Sequence, residues 1–182
     1  MAASYDILIK LVSNLNPCHV GHKVGDEWLW HDKTPADMCF AAFNALYPFA
    51  LVLKCGGKFP WQDDPNILTV SCPDSEAVNR FEIKRVPEKT EPVESYDIGI
   101  KLVGKGAGNP CDNGHKVGAE WLWRDKTPEN LCPAAYKNIC DSALVLRYGG
   151  QYSWQTDPDV ITVSCPDPAV LNRFEIRRIN KK

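Results

Sequence analysis

Both halves of this chain open on the same hydrophobic pattern. Tyr5, Ile7, Ile9 and Leu11 in the first half, and Tyr96, Ile98, Ile100 and Leu102 in the second, stand at every second position. That is the period of a half-buried strand. Residues 23–30 read as a second strand, because Val24, Trp28 and Trp30 are β-favouring side chains. A helix is expected next, with Thr34 as cap, Pro35 in the first helical position and Asp37 reaching back to the cap. Thr127, Pro128 and Glu129 repeat that start in the second half. Cys39, Ala42, Phe43 and Leu46 then share one helical face, as do Cys132, Ala135, Tyr136 and Ile139. Residues 49–54 fit either a continued helix or a short strand, and Gly56-Gly57 ends the segment either way. A tryptophan-bearing turn at residues 61–65 leads to strands over residues 67–72 and 80–86, joined by a Cys-Pro-Asp corner. The predicted fold class is α+β: two homologous small domains, each a roughly four-stranded, mainly antiparallel sheet with one principal helix.

The chain is a duplication. Residues 18–86 align without a gap with residues 111–179, and about 39 of the 69 positions are identical. Residues 12–17 are answered by the longer, glycine-rich residues 103–110, an insertion expected at the surface. Pro87, Glu88, Lys89, Thr90, Glu91, Pro92, Val93 and Glu94 form a charged, proline-bearing stretch with little to bury. It reads as an extended linker. Residues 1–86 are thus repeat 1, residues 87–94 the linker and residues 95–182 repeat 2.

Duplication works as a filter on chemistry, since a residue kept in both copies has survived divergence of its surroundings. Three cysteines and one histidine pass: Cys18, His22, Cys39 and Cys72, matched by Cys111, His115, Cys132 and Cys165. Cys55 aligns with Tyr148, Cys140 with Tyr47, His19 with Asp112 and His31 with Arg124, so these read as ordinary packing or surface residues. Three sulfurs and an imidazole make a full tetrahedral set for zinc, in a domain small enough to gain from a metal in its core. An iron–sulfur cluster with one histidine ligand suits the same set, and the spacing does not choose between the two. No Cys-x-x-Cys pair is present. Two other readings stand beside metal: inert core thiols, and a redox pair in which Cys18 lies near His22 and Lys23 while Cys39 sits near a helix start.

The eight cysteines weigh toward metal or thiol chemistry once the compartment is considered. No basic segment followed by an apolar run opens the sequence, and no apolar stretch is long enough to span a bilayer, so the chain reads as soluble and cytoplasmic. Thiols there stay reduced. With 21 basic and 23 acidic residues, neither half offers a phosphate-backbone surface, and neither a nucleic acid nor a membrane is expected as partner.

The other duplicated feature is aromatic. Trp28, Trp30 and Trp61 recur as Trp121, Trp123 and Trp154, close to Gly56-Gly57 and Gly149-Gly150. Trp28 and Trp30 share one strand face and are expected in the core, whereas Trp61, in a polar turn, is a candidate ligand contact. The carboxylate pairs Asp26-Glu27 and Asp63-Asp64 are broken in the second copy by Ala119 and Thr156, which leaves them as solvated turn residues. No phosphate loop, serine elbow or His-Glu-x-x-His occurs, so no recognisable catalytic motif is present.

The runs Cys-x-x-Gly-His-Lys-Val-Gly (residues 18–25 and 111–118), Cys-x-Ala-Ala (from Cys39 and Cys132), Gly-Gly with a following Trp, and Cys-Pro-Asp (from Cys72 and Cys165) resemble a family. It is that of small cysteine-containing repeat proteins of about 90 residues, found mainly in anaerobic bacteria and archaea, here in tandem. The resemblance implies an anaerobic setting, compatible with an oxygen-sensitive cluster, and carries no activity with it. The expectation is a metal-binding protein holding zinc, or alternatively an iron–sulfur cluster, at one Cys3His site per repeat, with a structural or accessory role toward a protein partner. A thiol oxidoreductase using Cys18 and Cys39, or a small-ligand binder built on Trp61 and Trp154, are the alternatives.

Overall fold

The computed structural model describes residues 4–88, 94–106 and 109–181; most of the expected linker, residues 89–93, lies outside them. Repeat 1 runs β1 (Asp6–Ser13), β2 (Glu27–Trp30), α1 (Phe40–Lys54), β3 (Ile67–Ser71) and β4 (Arg80–Val86). Repeat 2 runs β5 (Tyr96–Lys105), β6 (Glu120–Trp123), α2 (Pro133–Arg147), β7 (Val160–Ser164) and β8 (Asn172–Lys181). Each forms a four-stranded antiparallel sheet, in the orders β2-β1-β4-β3 and β6-β5-β8-β7, with one helix against it. The α+β expectation is what is observed. Among the described residues no helix is long and apolar enough to cross a membrane.

The alternation read from the sequence sets the buried face. Ile7, Ile9 and Leu11 of β1 face inward beside Phe81 and Ile83 of β4, and α1 covers them with Ala42, Leu46 and Ala50. Ile98, Ile100, Leu102, Phe174 and Ile176 do the same under Ala135, Ile139 and Ala143 of α2. Of the tryptophans expected in the core, Trp30 and Trp123 are buried, while Trp28 and Trp121 are half-buried against the same cores.

The helix starts differ from expectation. Neither Thr34 nor Thr127 caps: the helices begin at Phe40 and Pro133, with Cys39 and Cys132 as N-caps and no side-chain capping bond. The cause is Asp37 and Asn130, whose φ of 59° and 60° place them in the left-handed region and interrupt any helix begun at Pro35 or Pro128. Residues 49–54 continue the helix, and the left-handed Gly56 and Gly149 follow its end.

The repeats join through their double-glycine loops. The backbone N–H of Lys58 donates to the Tyr148 carbonyl at 2.9 Å, and that of Gln151 donates to the Cys55 carbonyl at 2.8 Å. These residues are aligned partners, so the contact has the reciprocity of a two-fold interface within one chain. It depends on glycine: a Cβ on Gly57 would stand 2.8 Å from the Tyr148 oxygen and 2.7 Å from Val52 Cγ1. One on Gly150 would meet the Cys55 oxygen at 3.1 Å. Val145 and Tyr152 of repeat 2 enter the core of repeat 1, so the apolar interiors meet. Guanidinium groups brace both loops from behind, the buried Arg85 Nη2 donating to the Gly57 carbonyl at 2.9 Å and the partly buried Arg178 Nη2 to that of Gly150.

Candidate thiol and imidazole site

Three separate elements in each repeat carry the matched residues. Cys18 and His22 lie on the loop after β1, closed by a bond from the Gly21 N–H to the Cys18 carbonyl at 2.9 Å, with Gly21 at φ 85°. Cys39 is the residue before α1, and Cys72 follows β3 at the Cys-Pro-Asp corner. Repeat 2 places Cys111, His115, Cys132 and Cys165 in the same way.

His22 links two of these elements. Its ring stands edge-on to Trp28 at 4.8 Å, and its Nε2 accepts the backbone N–H of Cys39 at 3.1 Å. His115 repeats both contacts, with Trp121 at 5.0 Å and the Cys132 N–H at 3.1 Å. A ring nitrogen that accepts an N–H carries no proton, which leaves the ring's proton on Nδ1. The histidine therefore holds the helix start to the loop through Nε2.

In repeat 2 all four matched side chains, Cys111, His115, Cys132 and Cys165, line one cavity of about 140 Å³. Two of its sulfurs accept hydrogen bonds: Asn113 Nδ2 donates to Cys132 Sγ at 3.3 Å, and the Asn172 backbone N–H to Cys165 Sγ at 3.2 Å. In repeat 1 Cys18 and His22 line a more open groove with Lys23 and Pro17, without Cys39 or Cys72. Among the described residues, no three His, Cys, Asp or Glu side chains come together closely enough to hold a metal ion. The matched residues are brought to one end of each repeat and, in repeat 2, around one void.

The corner after β3 and β7 has a fixed form. Cys72 and Cys165 donate their backbone N–H to the carbonyls of Asn79 and Asn172 at 2.9 and 2.8 Å. Asp74 Oδ1 accepts the N–H groups of Glu76 and Ala77 at 2.9 and 3.0 Å. The bonds from Ala77 and then Glu76 hold its carboxyl below the usual aspartate range, with a smaller contribution from His19. Asn79 and Asn172 were missed as site residues, although both stand in the duplicated Asn-Arg-Phe-Glu-Ile run. Filtering that run for polar residues would have found them.

The unmatched cysteines lie elsewhere. Cys55 sits where the repeats meet, and burial pushes its thiol up to about 12. Cys140 approaches the Tyr136 hydroxyl at 3.8 Å, and burial raises its thiol too. Trp61 rests on Phe59 and on Tyr148 of the other repeat, at 5.0 and 5.3 Å, so it serves the contact between repeats. Trp154 is freer, with 72% of its surface exposed.

The chain matches no protein-family model, no curated protein and no solved structure.

Proposed function

We propose that this is a binding protein for a soft metal ion, zinc first, with one site per repeat and an accessory role toward a partner protein. The observation that carries the reading is the gathering of Cys111, His115, Cys132 and Cys165 around a single void. Three sulfurs and an imidazole are zinc's preferred donors. Support also comes from the N–H donors aimed at Cys132 and Cys165, since hydrogen bonds to sulfur are how proteins orient and tune metal-bound thiolates. In this reading the sulfurs supply the anchoring bonds. The histidine joins by exchanging its bond to the Cys132 or Cys39 N–H for the ion, and the released N–H lies at a helix start, where water satisfies it.

Elemental analysis of anaerobically purified protein, with an ultraviolet–visible spectrum, tests this. Zinc at one ion per repeat in a colourless sample is the expected result, and Cys39→Ser with Cys132→Ser should remove it while the fold, read by circular dichroism, persists. A brown sample containing sulfide would transfer the same residues to a cluster. Protein that neither carries metal nor takes up zinc, with six matched thiols that alkylate at ordinary rates in the folded state, would overturn the proposal.

A further inference from the structure

The contact between repeats is reciprocal in backbone, and its largest side-chain difference is Tyr148 against Cys55. Tyr148 and Cys55 are aligned, and each offers its carbonyl to the other repeat's loop. Tyr148 fills the space behind that bond. Its ring lies 4.9 Å from Phe59 and 5.3 Å from Trp61, edge-on to the latter, with the Arg147 guanidinium 5.9 Å from its centre. The corresponding neighbours of Cys55 are Tyr152, Trp154 and Lys54, equally aromatic and equally cationic. Cys55 has no ring to place among them.

What stands there is a cavity of about 290 Å³, lined by Cys55, Trp30, Tyr152, Trp154, Lys54 and Asp32 among others. A dry cavity of about 150 Å³ is enough to admit benzene, so a single ring fits with room for a substituent. We propose that this cavity is a binding site for a small single-ring aromatic molecule, whose ring takes the place that the Tyr148 side chain fills in the other half of the interface. Evidence for the class comes from the chain itself: one copy of the interface carries its own phenol ring, and the other presents similar aromatic and cationic walls, Tyr152 for Phe59, Trp154 for Trp61 and Lys54 for Arg147, without it. Tyr152 and Trp154 already stack at 4.5 Å and form one wall, and the large exposure of Trp154 marks the side a ligand would cover. Lys54 and Asp32 line the site too, so a hydroxyl on the ring finds both a donor and an acceptor. Because burial keeps Cys55 a neutral thiol, the site binds without covalent capture.

Phenol is the probe. Titrated into the full chain at millimolar concentrations, it should bind saturably at one site, read by tryptophan fluorescence and by NMR shifts of the Trp154 indole N–H, while cyclohexanol binds at least tenfold more weakly. Cys55→Tyr supplies the missing ring from within and should abolish phenol binding with the fold intact, since the other half of the interface already accommodates that residue. Tyr148→Cys should open a second site and raise the stoichiometry to two. Absence of saturable phenol binding, binding that survives Cys55→Tyr, or equal binding of cyclohexanol would overturn the proposal.

Discussion

Replacing Gly57 by alanine tests whether the two repeats behave as one body. The added methyl would fall 2.7 Å from Val52 Cγ1 and 2.8 Å from the Tyr148 carbonyl oxygen, and one of these neighbours belongs to the other repeat's backbone. A flexible side chain would yield cheaply, but a carbonyl already accepting the Lys58 N–H cannot retreat without opening that bond. Overpacking of this kind costs about 1–3 kcal/mol, and losing the buried inter-repeat bond adds about 1 kcal/mol, so a total of about 2–4 kcal/mol is expected. Gly150→Ala is milder, because its nearest contacts stand at 3.0 and 3.1 Å. About 1–2 kcal/mol follows from the same overpacking argument. Gly21→Ala is the control, with nothing within 4 Å of its Cβ and only the left-handed φ of 85° to oppose it, a cost of about 1 kcal/mol. Urea denaturation followed by tryptophan fluorescence reads all three. The double variant Gly57→Ala with Gly150→Ala should cost less than the sum, since either change alone separates the same two loops. A cost below about 0.5 kcal/mol for Gly57→Ala, within the range of unremarkable surface changes, or strict additivity in the double variant, would refute the reasoning.

Three further outcomes follow from single residues. Arg85 is fully buried with Nε and Nη1 unpartnered, whereas its counterpart Arg178 holds Asp159 at 3.2 Å, and Asn66 stands where Asp159 does. Asn66→Asp would pair with Arg85 but lose the Asn66 Nδ2 bond to Asp64 Oδ1 at 3.2 Å and set two carboxylates together, so the net stabilisation expected at neutral pH is about 0.5 kcal/mol, the remainder of a charge-assisted bond after these costs. Pairing with Arg85 would depress the new carboxyl in the folded state, so the gain should be lost as pH falls through the carboxylate range. Stability equal to the parent at pH 7 would count against it. Asp74, held below its usual range by two backbone N–H groups, should titrate below ordinary aspartates in an NMR pH series. Its contribution to stability is accordingly present at neutral pH and lost on acidification, and Asp74→Asn should flatten that acid limb. Cys55, with its thiol raised to about 12, should be among the slowest of the eight cysteines to react with iodoacetamide at pH 8 in the folded protein, and to match the others in urea.

β1 and β5 were legible because one face of each sheet is buried, so alternation at Ile7, Ile9 and Leu11 carries the information by itself, whereas the strand read over residues 23–30 is only Glu27–Trp30, since Val24 and Gly25 form an exposed turn. β4 was read to its observed bounds, Arg80–Val86. The helix start was misread because Thr-Pro-x-Asp is a good local start, and only the left-handed Asp37 and Asn130 move it to Cys39 and Cys132. Gly56-Gly57 was read as a helix stop. That holds for Gly56, with φ 80°, while Gly57 is required by a carbonyl from the other repeat, a long-range constraint with no local pattern. Which cysteines and histidines recur was legible as a list, since duplication keeps residues of every role alike, but their grouping around one void in repeat 2 and not in repeat 1 was not. What spacing could not convey was that the N–H groups of Cys39 and Cys132 take the imidazole nitrogens.

The central claim is that the matched thiols and imidazoles of each repeat act together on a metal ion. Anaerobic titration of the reduced, metal-free chain with cobalt(II) tests it most directly, because the spectrum reports the donor atoms as well as the stoichiometry. The account predicts thiolate-to-cobalt charge-transfer bands and intense tetrahedral d–d bands that grow to one ion per repeat, halve when Cys132→Ser removes one site, and vanish on adding zinc. A spectrum that stays that of octahedral aqueous cobalt throughout would contradict it.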